Sequence, residues 1–424
     1  MKNPLRKRIP RELKGEIGKY LVIFLLMLGT IGMVSGFLVA DGSMIKAYNE
    51  SFEKYNIEDG NFRTGEKVYR GQREAMEEQG IKIYENYYIE EALTNGSTMR
   101  FFKNRDEVDK VCIMEGRLPE TTGEIAIDRM YADNNSLKIG DTLSNGDKTW
   151  KITGLIALSD YSALFQNNND SMFDAVKFGV SVVTLEEFNS LDQEKLQYNY
   201  SWIYDKKPKD EKEEKEEKEV SEDLMKEMGK VVTLENFVPR YQNQAIIFTG
   251  DDMGGDKAMM VMLLYIVIAI MAFVFGITTS NTITKEAGVI GTLRASGYTG
   301  NELIRHYMTL PVLVTLAGAL AGNVLGYTVF KDICAGMYYG SYSLPTYVTV
   351  WNAKAFLLTT VVPVLIMLVV NYSILRSKLK LPPLKFLRRD LSRKKQKRAL
   401  RLSPRINIFS RFRLRVIFQN FSNY

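Results

Sequence analysis

Chemistry in a protein begins with side chains that can exchange protons, attack, or hold a metal, and this chain carries few in useful company. Its 424 residues contain one histidine, His306, and two cysteines, Cys112 and Cys334. A serine–histidine–acid relay needs an imidazole beside its nucleophile, and a zinc site needs several nitrogen or sulfur ligands. One isolated histidine supplies neither. The acids of Asp251-Asp252-Met253-Gly254-Gly255-Asp256 lack the alternating spacing of a calcium loop and read as a turn. Glu85 and Glu90 are a carboxylate pair of a kind too common to support glycosidase chemistry. No G-x-x-x-x-G-K-[ST] stretch exists to cradle a nucleotide phosphate. We therefore expect no enzyme, no catalytic residue, no metal and no cofactor. Cys112 and Cys334 either pair or remain two small apolar side chains.

The distinctive pattern lies between Asn281 and Tyr307. Within it, Ile290, Leu293 and Arg294 are spaced for one face of a short helix, and Gly297 suits its C-terminal cap. A second helix starts at Glu302–Tyr307. A short amphipathic helix of this kind can lie on a membrane face and offer a docking surface.

The flanking elements explain why a membrane face is involved. Four stretches have no Asp, Glu, Lys or Arg: 20–40, 258–280, 308–330 and 355–375. About 20 apolar residues span a hydrocarbon core. The first is too long for a cleaved signal, and Leu38-Val39-Ala40 is a poor cleavage site, so it reads as a retained anchor. The lack of ionisable groups at membrane depth argues against an ion-coupled carrier. Lysine and arginine set the orientation. The segment 1–19 is basic, and the tail 376–424 holds sixteen Lys or Arg against one acid, Asp390. Both termini are then cytoplasmic, 41–257 is outside, 281–307 is a cytoplasmic loop and 331–354 an outer loop. Beside a membrane span, so basic a tail suits anionic lipid headgroups and not nucleic acid.

The expected fold is an α-helical integral membrane protein with four transmembrane helices and a large α+β extracytoplasmic domain between the first and second. Met44, Tyr48 and Phe52 recur every fourth residue, as on a stalk helix leaving the membrane. Runs at Lys82–Tyr84, Glu124–Ile127, Trp150–Thr153 and Val180–Val183 read as strands, and Arg73–Gln79 and Leu185–Leu191 as short helices. The segment 206–230 opens on a charge run without an apolar face, a linker or solvated helix. Gly318, Gly322 and Gly326 repeat at G-x-x-x-G spacing, which lets helices approach closely either within one subunit or between two. Asn323 and Asn371 suit hydrogen bonds between helices. Tyr338, Tyr339, Tyr342, Tyr347 and Trp351 suit a headgroup-level belt.

Taken together, these residues resemble the FtsX/MacB-like superfamily of ABC permeases. The family's inner loop is close to E-I-G-x-L-R-A-x-G, and this chain has Ile290-Gly291-Thr292-Leu293-Arg294-Ala295-Ser296-Gly297. Val289 stands where the family's acid precedes the isoleucine, and Glu286 lies upstream. The outer segment is similar too, in Gly116-Arg117-Leu118-Pro119, Gly123-Glu124-Ile125, Ile139-Gly140-Asp141 and Ile152-Thr153-Gly154. The resemblance implies a permease subunit in a bacterial cell membrane, worked by a separate ABC ATPase. Ile290, Gly291, Leu293, Arg294, Ala295 and Gly297 would couple to that ATPase, and motion would pass outward for export or mechanotransmission. It also implies a homo- or hetero-dimer of permeases. The other reading is a signalling protein whose outer domain binds a ligand or cell-wall enzyme without transport. The basic amphipathic end, Arg411–Tyr424, resembles the segment before the first span, so a further set of spans is expected beyond it.

Overall fold

The computed structural model describes residues 4–206, 211–389 and 407–409. Most of the basic tail, including Arg411–Tyr424, and the start of the charged run lie outside the described residues.

Among the described residues, four helices are long and apolar enough to cross a membrane: Ile17–Lys54, Gln244–Lys285, Gly300–Ser341 and Ala353–Leu379. All four outrun the apolar segments that identify them. A short helix, α1 (Ile9–Gly15), precedes α2 (Ile17–Lys54). The predicted stalk is the C-terminal end of α2, where Met44 and Tyr48 are buried.

Between α2 and the next long helix the chain folds into two sheets. Their strands are β1 (Gly60–Thr64), β2 (Ile81–Glu85), β3 (Tyr88–Ala92), β4 (Thr98–Lys103), β5 (Cys112–Gly116) and β6 (Glu124–Asp128). They continue with β7 (Thr142–Ser144), β8 (Thr149–Ala157), β9 (Phe178–Val183), β10 (Tyr198–Tyr204) and β11 (Leu234–Pro239). Three short helices join them, α3 (Arg70–Glu77), α4 (Arg129–Asn134) and α5 (Leu185–Ser190), with a longer α6 (Glu211–Val231). The first sheet has strand order β11-β1-β10-β2, and the second β3-β4-β9-β6-β8-β5 with β7 on β8. Alternation drives both. On β1 the odd and even positions separate cleanly, with Phe62 fully buried and stacked on Tyr200 at 5.1 Å. The core also takes Leu224 and Met228 from α6, so the apolar face missing from the charged run appears in its second half.

The second long helix, α7 (Gln244–Lys285), is unbroken. The turn expected at Asp251–Asp256 does not form. Two glycines cost a helix about 2 kcal/mol against alanine, but contacts along the same turns outweigh that. The Tyr342 hydroxyl donates to Asp252 at 2.6 Å, Tyr338 donates to Asp256 at 3.2 Å, and Lys257 pairs with Asp41 at 3.4 Å. The acids are thus bound by tyrosines, and the described residues hold no metal-binding group of His, Cys, Asp or Glu.

A helix α8 (Ala287–Ala295) precedes α9 (Gly300–Leu325), which passes through a π-helical turn at Gly326–Phe330 into α10 (Lys331–Ser341). The first part of the predicted outer loop 331–354 is therefore helix. Tyr338 and Tyr342 are not belt residues, since both are buried, Tyr342 among Phe173 and Phe248 and Tyr338 against Phe37 at 6.0 Å. Trp351 stays exposed and stacks on Tyr327 at 4.8 Å. The last long helix runs from α11 (Ala353–Phe356) through a π-helical turn at Leu357–Val361 into α12 (Val362–Leu379), and α13 (Pro383–Leu387) follows.

By contacts the chain divides into residues 18–269 with 314–364, and residues 1–17 with 270–313 and 365–424. In the first unit the glycine repeat is spent inside the chain. A methyl on Gly318 would lie 2.9 Å from Met27 Cβ, one on Gly322 3.0 Å from the Leu28 carbonyl, and one on Gly326 2.8 Å from Ser35 Cβ. Asn323 ties three helices there, accepting from Ser35 at 2.8 Å and Thr359 at 2.9 Å and donating to Thr360 at 2.9 Å. In the second unit Asn371 accepts from the Thr279 hydroxyl. Cys112 and Cys334 are both buried and unpaired.

Candidate functional site

The loop between the second and third long helices is α8 and its two caps. Glu286 ends the preceding helix, and its backbone leaves helical geometry at φ −94°, ψ 14°. At the far end Gly297 takes φ +96°, a left-handed conformation that suits glycine, and Tyr298 N donates to the Leu293 carbonyl at 3.1 Å. Thr299 then caps α9. Its N–H bonds Glu302 at 2.8 Å and its hydroxyl accepts from the Glu302 N–H at 3.3 Å, a reciprocal capping box.

One side of α8 is a packing face. Ala287, Ile290 and Gly291 are buried, with Leu303, Leu375, Leu379 and Phe386 in the same cluster. Gly291 is small because α13 lies against it: a methyl there would sit 2.9 Å from Leu387 Cγ and 3.0 Å from Leu387 N. We expect Gly291→Leu to push α13 away at a cost of about 1–3 kcal/mol, read as a lower Tm in detergent. Gly288→Ala, which meets nothing within 4 Å, should leave Tm unchanged.

This geometry sorts the predicted site residues. Ile290 and Gly291 point into the protein and are not available for docking. Leu293 and Arg294 are half-buried, and Ala295 and Gly297 are exposed. The open face is made by Val289, Thr292, Ala295 and Ser296, all exposed and about one helical turn apart. Sequence reasoning missed Val289, Thr292 and Ser296 as surface.

A polar clasp joins the N-terminal segment to this loop. The Arg8 guanidinium reaches Glu12 at 3.0 Å and Glu286 at 3.3 Å. The Tyr307 hydroxyl donates to Glu286 at 2.5 Å, Lys285 pairs with Glu16 at 3.1 Å, and His306 Nε2 lies 3.2 Å from Glu12. Burial raises the Glu12 pKa, but the hydrogen bond to His306, with the charges of His306 and Arg8, outweighs it and leaves the carboxyl below its ordinary value. Although displaced from the expected position, Glu286 is the acid that anchors the loop.

Residues 261–379 match the family described as FtsX-like permease C-terminal, and the loop lies inside that match. Among solved structures, the periplasmic region of MacB from Actinobacillus actinomycetemcomitans is similar at 9% identity and a TM-score of 0.24, over 40% of this chain and 83% of that chain. A likeness that loose carries no argument. No curated protein matches this chain.

A second set of contacts joins the sheet domain to the long helices, and nothing in the local sequence announces it. Asp128 ends β6, caps α4 by accepting from Met130 N at 2.8 Å and Tyr131 N at 3.1 Å, and also accepts from the Ser343 hydroxyl. Arg129 donates to the Tyr339 and Tyr342 carbonyls, both at 2.8 Å, and so closes the C-terminal end of α10. Asn168 accepts from Gln244 N at 2.8 Å, the first residue of α7, and Ser162 bonds the Ala245 carbonyl at 3.0 Å. The last turn of α10 and the first turn of α7 are thus held by their end groups.

Proposed function

We propose that the chain is the permease subunit of an ABC transporter, with both termini cytoplasmic in a bacterial cell membrane and the sheet domain outside. It is not itself an enzyme; a separate ATPase hydrolyses ATP and docks on the open face of α8. The single observation that carries this reading is that α8 lies within the FtsX-like permease match with one face buried and the other, Val289–Thr292–Ser296, open. The helix ends gripped by Asp128, Arg129 and Asn168 give motion a stiff route to the sheet domain, for export or mechanotransmission. A second permease subunit completes the machine. Its contact would lie elsewhere than the glycine repeat, which α2 already fills.

The test is recovery of the ABC ATPase co-expressed with the tagged permease. Val289→Glu and Thr292→Glu should each reduce recovery at least tenfold, about 1.4 kcal/mol, with Tm unchanged because neither side chain is buried. Undiminished recovery with both would sink the docking assignment. Orientation is read separately: a cysteine at Ser296 should resist a membrane-impermeant label applied to whole cells, and one at Asn169 should react.

A further inference from the structure

The sheet domain contains a cleft of about 460 Å3 that the docking reading does not use, a size typical of small-molecule sites. Its floor is the polar face of the first sheet. The register places Asn236 of β11, Arg63 of β1 and Asn199 of β10 directly abreast, with Asn61 two residues along β1. Its opposite wall is the run Gln166-Asn167-Asn168-Asn169. Carboxamides from three strands around a central arginine, faced by a second carboxamide run, are unusual on a sheet face, which favours β-branched and aromatic residues.

The two arginines that line the cleft are already paired, and of its acids Asp160 pairs with Arg105 at 2.6 Å while Glu58 accepts from Asn61 at 2.6 Å. Arg63 Nε bonds Glu235 at 3.1 Å, and Arg100 Nε bonds Glu90 at 2.9 Å. A phosphate or a carboxylate would find no uncommitted cation. What remains are groups that both donate and accept. The Asn199 side chain makes no hydrogen bond among the described residues, although the residue is half-buried. The Asn86 side-chain oxygen is buried without a partner on a residue that is only 4% exposed and lines the cleft. A buried acceptor without a donor is a costly feature that a bound donor would relieve.

We propose that this cleft binds a neutral oligosaccharide. Vicinal hydroxyls, like carboxamides, present a donor and an acceptor side by side, and a sugar of two or three rings brings many of them with no charge. An extended peptide of the same bulk would bring apolar side chains, and the wall is mostly amide and charged groups. The site also has a route to the long helices, because Asn168 caps the first turn of α7. A sugar gripped by the 166–169 run therefore bears on the start of that helix.

The test is isothermal titration calorimetry on the full chain in detergent, with tri-N-acetylchitotriose, maltotriose and a capped trialanine as probes. At least one sugar should bind, and the double variant Asn199→Ala/Asn236→Ala should weaken it at least tenfold at unchanged Tm. Absence of sugar binding at millimolar concentration overturns the proposal. So does equal affinity in the double variant, or binding of the capped peptide in place of both sugars. Should the double variant lose its fold, Gln242→Ala, an exposed residue of the same cleft, replaces it with the same expected loss. No ATPase enters the measurement, so the outcome is independent of the docking reading.

Discussion

Gly36→Leu is expected to destabilise the folded protein by at least about 3 kcal/mol, the upper part of the range for overpacking. A methyl at Gly36 would lie 2.5 Å from Phe330 Cβ, 2.8 Å from the Phe330 carbonyl carbon and 2.9 Å from Lys331 N. Two of those three atoms are backbone, so no rotamer change removes the clash. The neighbouring contacts cannot yield either. Gly32 on the same face also meets Phe330, and Gly322 and Gly326 press back from the other helix. In lipid, close packing and hydrogen bonds hold helices together. Separating these two by the width of a leucine would also break the Ser35–Asn323 bond. The measurement is thermal unfolding in detergent, with Gly254→Ala as control. That glycine is helical and has nothing within 4 Å, so alanine should be neutral or stabilising by up to about 1 kcal/mol. Equal Tm values for Gly36→Leu and wild type would contradict the packing described.

The second large effect depends on pH. Glu58 and Asp109 are buried beside one another around Ser201, whose hydroxyl is 2.5 Å from Glu58 and 3.0 Å from Asp109. One hydroxyl has one proton to give, so it serves one of the two carboxylates. Asp160 adds a third acid against a single guanidinium, Arg105, which it already pairs with at 2.6 Å. Burial first, then the charge of Asp160, pushes the Glu58 pKa from 4.5 to about 7, and burial with the charge of Glu58 raises Asp109 also. The folded state thus keeps a proton that the unfolded chain has released above about pH 4.5. Stability should fall as pH rises from about 4.5 to about 7, by about 3 kcal/mol. Glu58→Gln keeps the acceptor for Asn61 and Asn243, supplies an N–H to Ser201, and should remove most of the slope. Tm recorded across that window decides it; stability that rises with pH would be the contrary result.

Sequence reading found what periodicity encodes. Glu124–Ile127 and Val180–Val183 formed strands because nearly every position there is buried. Leu185 started a helix where Thr184 could cap it. It failed where a distant partner overrides local preference. Gly254-Gly255 looked like a break because their cost is local, whereas the tyrosines that hold the helix around them are some 80 to 90 residues away. Those tyrosines looked like belt residues for the same reason. In the docking loop, Gly297 was legible because a cap is a local demand, but the inward face of α8 was not, since its cover, α13, is a five-residue helix. Asp128 and Arg129 were invisible: nothing in Ile127-Asp128-Arg129 announces that one side chain will reach Ser343 and the next the end of α10.

The π-helical turn at Gly326–Phe330 fixes the angular phase of everything beyond it. An α-helix advances roughly 100° per residue, and a π turn adds one residue to the count. Tyr338 and Tyr342 find Asp256 and Asp252 only because that extra step has been taken. Shortening the turn by a single residue would swing both hydroxyls about a quarter of the way round the axis, unhooking them while every residue of α10 stayed helical.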